Sequence, residues 1–192
     1  MRRFAALALV ALLAACQTAQ SPRPEAGGAT PAALTVPAAQ DIERSRGEAG
    51  RDEAIKAAVT RRVGELDRRA TRAVTVEVWR GRVLLMGAVI KPEQRRKAEQ
   101  AAAATEGVTT VLNELVLAED KALDVFAADP AREDAVRRTL GIDSGTGTVV
   151  RVINGVAFLL GGAPSTEAAA AMKADATEVE GIKWVVSHLS AP

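Results

Sequence analysis

The sequence has 192 residues, with 25 basic and 24 acidic side chains, a net charge of +1 and one cysteine. A balance so close to neutral argues against a general nucleic-acid binder, which needs a clear basic excess. A single cysteine excludes an intrachain disulfide.

Residues 1–15 read as a signal peptide. Arg2 and Arg3 form a positive n-region, and Phe4 to Ala15 is apolar but too short to span a bilayer comfortably. Leu13-Ala14-Ala15-Cys16 resembles a bacterial lipobox, so Cys16 is the expected lipid anchor, acylated with palmitate-type chains. The alternative is an ordinary secretory signal that happens to contain a cysteine. Gln17 and Thr18 follow. By resemblance to proteobacterial lipoproteins, the lack of Asp at position 18 implies sorting to the outer membrane, with the chain facing the periplasm. Loss of Arg2 and Arg3 would turn the net charge to −1. Residues 16–50 read as the acylated cysteine and a disordered linker, since Pro22, Pro24, Pro31 and Pro37 stand among residues with little to bury. Such a tether reaches roughly 30 Å.

The first folded unit, 51–119, is expected to begin near Asp52. Ile55, Val59, Val63 and Leu66 form one apolar helical stripe. Val74, Val76 and Val78 alternate with Thr75 and Glu77, as in a half-buried strand. Gly81 makes a hairpin turn, and Val83 to Met86 return as a strand that Gly87 ends. Pro92 starts a helix over 92–106, Gly107 stops it, and Val108 to Leu117 supply the last strand. Seven arginines (61, 62, 68, 69, 72, 80 and 82) concentrate positive charge here. They either face phosphate groups or form a solvated surface partly neutralised by Glu65, Asp67 and Glu77, the favoured reading.

The second unit, 128–192, repeats the first. Asn154-Gly155 falls where Arg80-Gly81 stood, Gly161 where Gly87 stood, and Glu180-Gly181 where Glu106-Gly107 stood, without a gap between blocks. Duplicated supersecondary units follow. The helix 130–140 is the weakest element, with only Ala135, Val136 and Leu140 on an apolar stripe. Gly141 to Gly147 reads as a flexible loop. Thr148 to Ile153 and Val156 to Gly161 form the hairpin, Ser165 caps a helix over 166–179, and Ile182 to Leu189 close the sheet. Units of this size are marginal alone, so the copies are expected to pack on each other or to be steadied by a partner. Trp184 should point opposite to Val185, away from its own core. Burial between the two units is the favoured role.

This order of elements, the turn motifs, Leu-x-Gly, and Glu-Gly-Val/Ile before the closing strand resemble the BON domain (bacterial OsmY and nodulation). With the lipobox, the chain resembles dual-BON envelope lipoproteins of the DolP type. The resemblance implies an α+β fold of two tandem αββαβ domains, each a three-stranded sheet with two helices packed on one face. It implies a non-enzymatic protein, without cofactor or metal, that supports envelope integrity by binding anionic phospholipid. The family's lipid-facing helix falls on 130–140, so Arg132, Val136, Arg137 and Arg138, together with Trp184, are the candidate contacts. Glu133 and Asp134 place opposing charge there. Gly81, Gly87, Gly107, Gly155, Gly161 and Gly181 carry the motif as backbone geometry. The alternative function is a periplasmic protein-interaction or chaperone-like module for envelope assembly. His188, the sole histidine, lies beside Ser187, but neighbours on a strand face opposite ways and make no nucleophile–base pair. No nucleic-acid partner is expected.

Overall fold

In the computed structural model the described residues are 43–142 and 147–192. The signal peptide, Cys16 and most of the linker lie outside them, as do four residues of the loop expected between Gly141 and Gly147.

The first helix, α1, spans Arg46–Leu66. It starts six residues before the expected Asp52, so residues 46–50 belong to the helix and not to the linker. The cause is a capping box. The Ser45 hydroxyl accepts from the Glu48 amide at 3.2 Å, and the Glu48 carboxylate accepts from the Ser45 amide at 2.8 Å. Two strands follow, β1 (Val74–Trp79) and β2 (Arg82–Val89), then α2 (Pro92–Ala103). The expected last strand is broken in two, β3 (Thr110–Asn113) and β4 (Val116–Leu117), both lying parallel to β2. The break falls at Glu114-Leu115, where Leu115 turns into the core. A 3-10 helix, Asp120–Phe126, was not anticipated. The second unit holds α3 (Pro130–Leu140), β5 (Thr148–Ile153), β6 (Val156–Gly162), α4 (Thr166–Thr177) and β7 (Trp184–Ser190). Gly107 and Gly181 do not cap α2 and α4. They stand a few residues later, at φ +83° and +82°, in the turn into the next strand.

Each sheet has the hairpin antiparallel and the closing strand parallel, with β2 and β6 central. Both helices of a unit cover one face. In the first, Val59 and Val63 of α1 and Ala98 and Ala102 of α2 meet Val76, Val78, Val83 and Leu85. In the second, Val136 and Ala176 meet Val150, Val152, Ala157, Leu159 and Val185. Alanines on α2 and α4 let those helices lie close to the strands. The opposite sheet faces pack on each other. Trp79, Leu84 and Met86 from one unit bury against Ile153, Phe158 and Leu160 from the other. Burying such side chains stabilises by about 1.5–3 kcal/mol each, which fits the expectation that the copies steady one another.

The two hairpin turns show how the copies differ. Arg80 and Gly81 take φ +49° and +74°, and Asn154 and Gly155 take +51° and +76°. Both central residues of each turn are therefore left-handed, the geometry that matches strand twist. Asn tolerates this region, while Arg does so at a cost. The first turn is held by Asp52, whose carboxylate accepts from the Arg80 amide at 2.8 Å and the Gly81 amide at 3.0 Å.

Candidate functional site

The candidate contacts on the second unit do not form one surface. Asp129 caps α3 by accepting from the Arg132 amide at 3.1 Å, and its carboxylate also pairs with the Arg132 guanidinium. The backbone bond first, and the guanidinium after it, hold the Asp129 carboxyl below its ordinary range. Val136 is fully buried among β5 and β6 side chains, so it contacts no ligand. That is a correction to the sequence-based expectation. The apolar stripe that α3 needs to pack on its own sheet leaves no valine for a lipid. Arg137 turns inward and donates to the Val150 carbonyl at 3.0 Å. Arg138 remains exposed.

Glu133 also departs from expectation. It is 6% exposed, accepts from the Val152 amide at 3.2 Å and pairs with Arg151 at 2.8 Å. Its charge is consumed inside the fold and does not oppose an anionic surface.

Trp184 is the exposed large hydrophobic side chain among the described residues of this unit. Alternation sets it opposite the buried Val185, as expected, but it is 65% exposed. It is not buried between the two units. That role belongs to Trp79, 4% exposed within the central layer. Trp184 pairs with Val156 just beyond the second turn, at the start of β7. Directly before it, Lys183 lines an open cleft of about 380 Å³ with Val125, Asp129, Arg132, Asn154 and Gly155. Val125, at the 3-10 helix, is 59% exposed. Among the described residues Lys183 has no carboxylate partner. Trp184, Lys183, Arg132 and Val125 thus set aromatic, cationic and apolar groups around one end of the second unit. Lys183 and Val125 were not singled out from the sequence. The Lys-Trp dipeptide was the available signal, and Val125 had none, because the 3-10 helix was unforeseen.

The corresponding cleft of the first unit, about 320 Å³, is lined by Glu48, Arg51, Asp52, Ile55, Arg80 and Gly107. Three of its charged side chains, Glu48, Asp52 and Arg80, are matched within the fold. Arg44 pairs with Asp52 at 2.9 Å, and Arg80 lies 3.5 Å from Glu48 with its guanidinium 4.8 Å from the Trp79 ring centre.

The arginine concentration of the first unit is also largely engaged. Arg69 and Arg72 pair with Asp120, and Arg72 with Asp124. Arg62 donates to the Ala104 carbonyl, Arg82 to the His188 carbonyl, and Arg61 lies 4.0 Å from Glu65. Neutralisation prevails, chiefly through the 3-10 helix carboxylates and not through Asp67 or Glu77. Arg68 is exposed.

His188 Nε2 lies 2.9 Å from the Glu114 carboxylate of the other unit, so its role is at the contact between units. Among the described residues no three His, Cys, Asp or Glu side chains cluster to hold a metal ion. No described helix is long and apolar enough to cross a bilayer.

A protein of Anaplasma centrale, "Uncharacterized protein in gshII 5'region", is 31% identical over 121 residues, covering 61% of this chain and 80% of that protein. Among solved structures there is similarity to CdsD, a structural protein of the type III secretion system of Chlamydia trachomatis. It has 11% identity and a TM-score of 0.30, with 70% of this chain and 92% of that one covered. The BON domain model matches twice, at residues 51–119 and 128–191. The chain therefore belongs to the BON domain family and carries the domain as a tandem pair.

Proposed function

We propose that this protein is a non-enzymatic envelope lipoprotein, anchored through Cys16 to the periplasmic face of the outer membrane, whose second BON domain touches anionic phospholipid. The observation that carries the reading is Trp184, 65% exposed, next to Lys183, which has no carboxylate partner among the described residues. An indole suits the apolar–polar boundary of a bilayer, and each cation near an anionic surface adds about 1 kcal/mol. Arg132 is partly offset by Asp129, so the contact is weak. The tether makes up the difference, since short flexible linkage gives effective concentrations on the order of mM.

The test is vesicle binding by residues 41–192, which keep the helix cap and lack the anchor. Anionic vesicles should shift Trp184 emission to the blue, salt should weaken the effect, and Trp184→Ala with Lys183→Ala should abolish binding. Equal binding to neutral vesicles, or none at low salt, would defeat the proposal.

One observation favours the alternative, a protein-interaction module. Val116 and Leu117 of the short strand β4 are 47% and 53% exposed, an apolar strand edge of the kind partners extend. Crosslinking from position 117 in cells, with no envelope protein captured above background, would remove it.

A further inference from the structure

The faces that join the two domains carry opposite charges at one pair of equivalent positions, Glu77 and Arg151, and set an acid against an imidazole at a second, Glu114 and His188. Glu77 and Arg151 are equivalent in the register that aligns Gly81 with Gly155. Each pairs with the same position of the central strand, Glu77 with Leu84 and Arg151 with Phe158. They also meet each other, Arg151 Nε to Glu77 Oε1 at 2.7 Å. Glu114 and His188 are equivalent in the same register, and they too meet, at 2.9 Å. The apolar layer around them is built from equivalents as well, Trp79 with Ile153, Leu84 with Phe158 and Met86 with Leu160.

Two equivalent residues touch only where they lie beside the axis that exchanges the copies. Two such contacts, one on β1 and β5 and one after β3 and on β7, place a pseudo-two-fold axis in the layer between the sheets. On such an axis, pairing of either domain with a second copy of itself would set a residue against itself. The first domain would oppose Glu77 to Glu77 and Glu114 to Glu114. The second would oppose Arg151 to Arg151. Glu77 is 5% exposed, so water could not screen the repulsion.

The inversion continues outward. Lys56 of α1 pairs with Glu77 at 3.0 Å, and Glu133 of α3 pairs with Arg151 at 2.8 Å. Lys56 stands three residues before core Val59, as Glu133 stands three before core Val136. The charges therefore alternate along one line, Lys56, Glu77, Arg151, Glu133, from the helix of one domain to the helix of the other. Burial alone would push the Arg151 guanidinium pKa down, but Glu77 and then Glu133 more than offset it, and its pKa is raised.

We propose that this inverted set is a pairing code. The inner face of each BON domain accepts a BON face of opposite charge at the positions of Glu77 and Glu114 and rejects a copy of itself. The apolar layer supplies adhesion, and the charges choose the partner. Unpaired or like charges in a buried interface discriminate strongly. The pairing thus joins first to second domain and keeps like domains of neighbouring chains apart.

The experiment uses the full chain with Trp184→Phe, leaving Trp79 as the only indole and a reporter of the contact layer. An acid-faced chain carries Arg151→Glu and His188→Glu. A base-faced chain carries Glu77→Arg and Glu114→Lys. Each alone should show red-shifted Trp79 emission. Mixed, they should recover the parent emission and sediment as a 1:1 complex, at least about tenfold tighter than either self-association. Parent-like emission in either chain alone, or no complex on mixing, would overturn the code. Should a single-sign chain fail to fold by circular dichroism, a reversed chain decides. It carries Lys56→Glu, Glu77→Arg, Glu133→Gln and Arg151→Glu. Parent-like Trp79 emission supports the code, and red-shifted emission refutes it.

Discussion

Asp52 should be one of the most costly surface-to-core positions to truncate, although it opens no cavity. It is 3% exposed and makes three bonds, to the Arg80 amide at 2.8 Å, the Gly81 amide at 3.0 Å and the Arg44 guanidinium at 2.9 Å. Asp52→Ala leaves the buried Gly81 N–H without a partner, at about 1–3 kcal/mol. The Arg80 N–H is partly solvated and contributes the lower end of that range. Arg44 is 15% exposed and keeps the Val78 carbonyl as acceptor at 3.1 Å, so it adds little. The expected loss is about 2–4 kcal/mol, a large part of a typical stability of about 5–15 kcal/mol. Asp52→Asn keeps one acceptor and should lose roughly half as much. Urea unfolding followed by Trp79 emission measures both, and hydrogen exchange at the Gly81 amide locates the effect. A loss below about 1 kcal/mol for Asp52→Ala, or equal losses for the two variants, would show that the turn holds itself and that the capping argument is wrong.

Gly87 sits at φ +103°, where an added Cβ would overlap the Ala73 carbonyl oxygen. Gly87→Ala should lose about 1–3 kcal/mol from the backbone alone and more from the overlap, read as a drop in urea midpoint. Val136→Ala should lose about 2 kcal/mol by removing buried methyl groups, while the folded fraction keeps its vesicle affinity. A selective loss of vesicle binding would put Val136 back at the surface. Acid should weaken the protein through Asp120 and Asp129. Arg69 and then Arg72 hold the Asp120 carboxyl below its ordinary 3.8, and the Arg132 amide does the same for Asp129. Folding lowers both pKa values, so their stabilisation is complete above the ordinary value and is lost as pH falls through the lowered one. Urea midpoints measured downward from pH 5 should fall less steeply in Asp120→Asn, and an unchanged slope would exclude that carboxylate.

The elements that were legible in the sequence are those whose signal lies within one short window. Asn154-Gly155 specifies its turn because both residues tolerate positive φ. Val74, Val76 and Val78 specify β1 because alternate residues face one core. Helix α1 was read too short because Gly47 and Gly50 weaken the apolar pattern there, while the signal that fixes its start, Ser45 three residues before Glu48, is polar. The 3-10 helix was missed for a related reason. Leu123 is buried, but Asp120 and Asp124 are placed to meet Arg69 and Arg72, some 50 residues earlier. No local periodicity records such a pairing.

The candidate surface was read less well because alternation tells which face a residue is on, not what covers that face. Glu77 and Trp184 both stand opposite their own helices. Glu77 is covered by the other domain and buried with Arg151, while Trp184 lies where that coverage ends. The polar character of Glu77 suggested solvent, and the aromatic character of Trp184 suggested burial. Both inferences failed for one reason, that the second face of each sheet is an interface made of complementary charges as well as apolar groups. Charge at an alternate strand position is therefore ambiguous in a duplicated chain. What resolves it is the sign at the equivalent position of the other copy. Acid at 77 against base at 151, with Glu114 meeting His188 at the second equivalent pair, is the pattern of a contact, because independent solvated surfaces have no reason to match in this way.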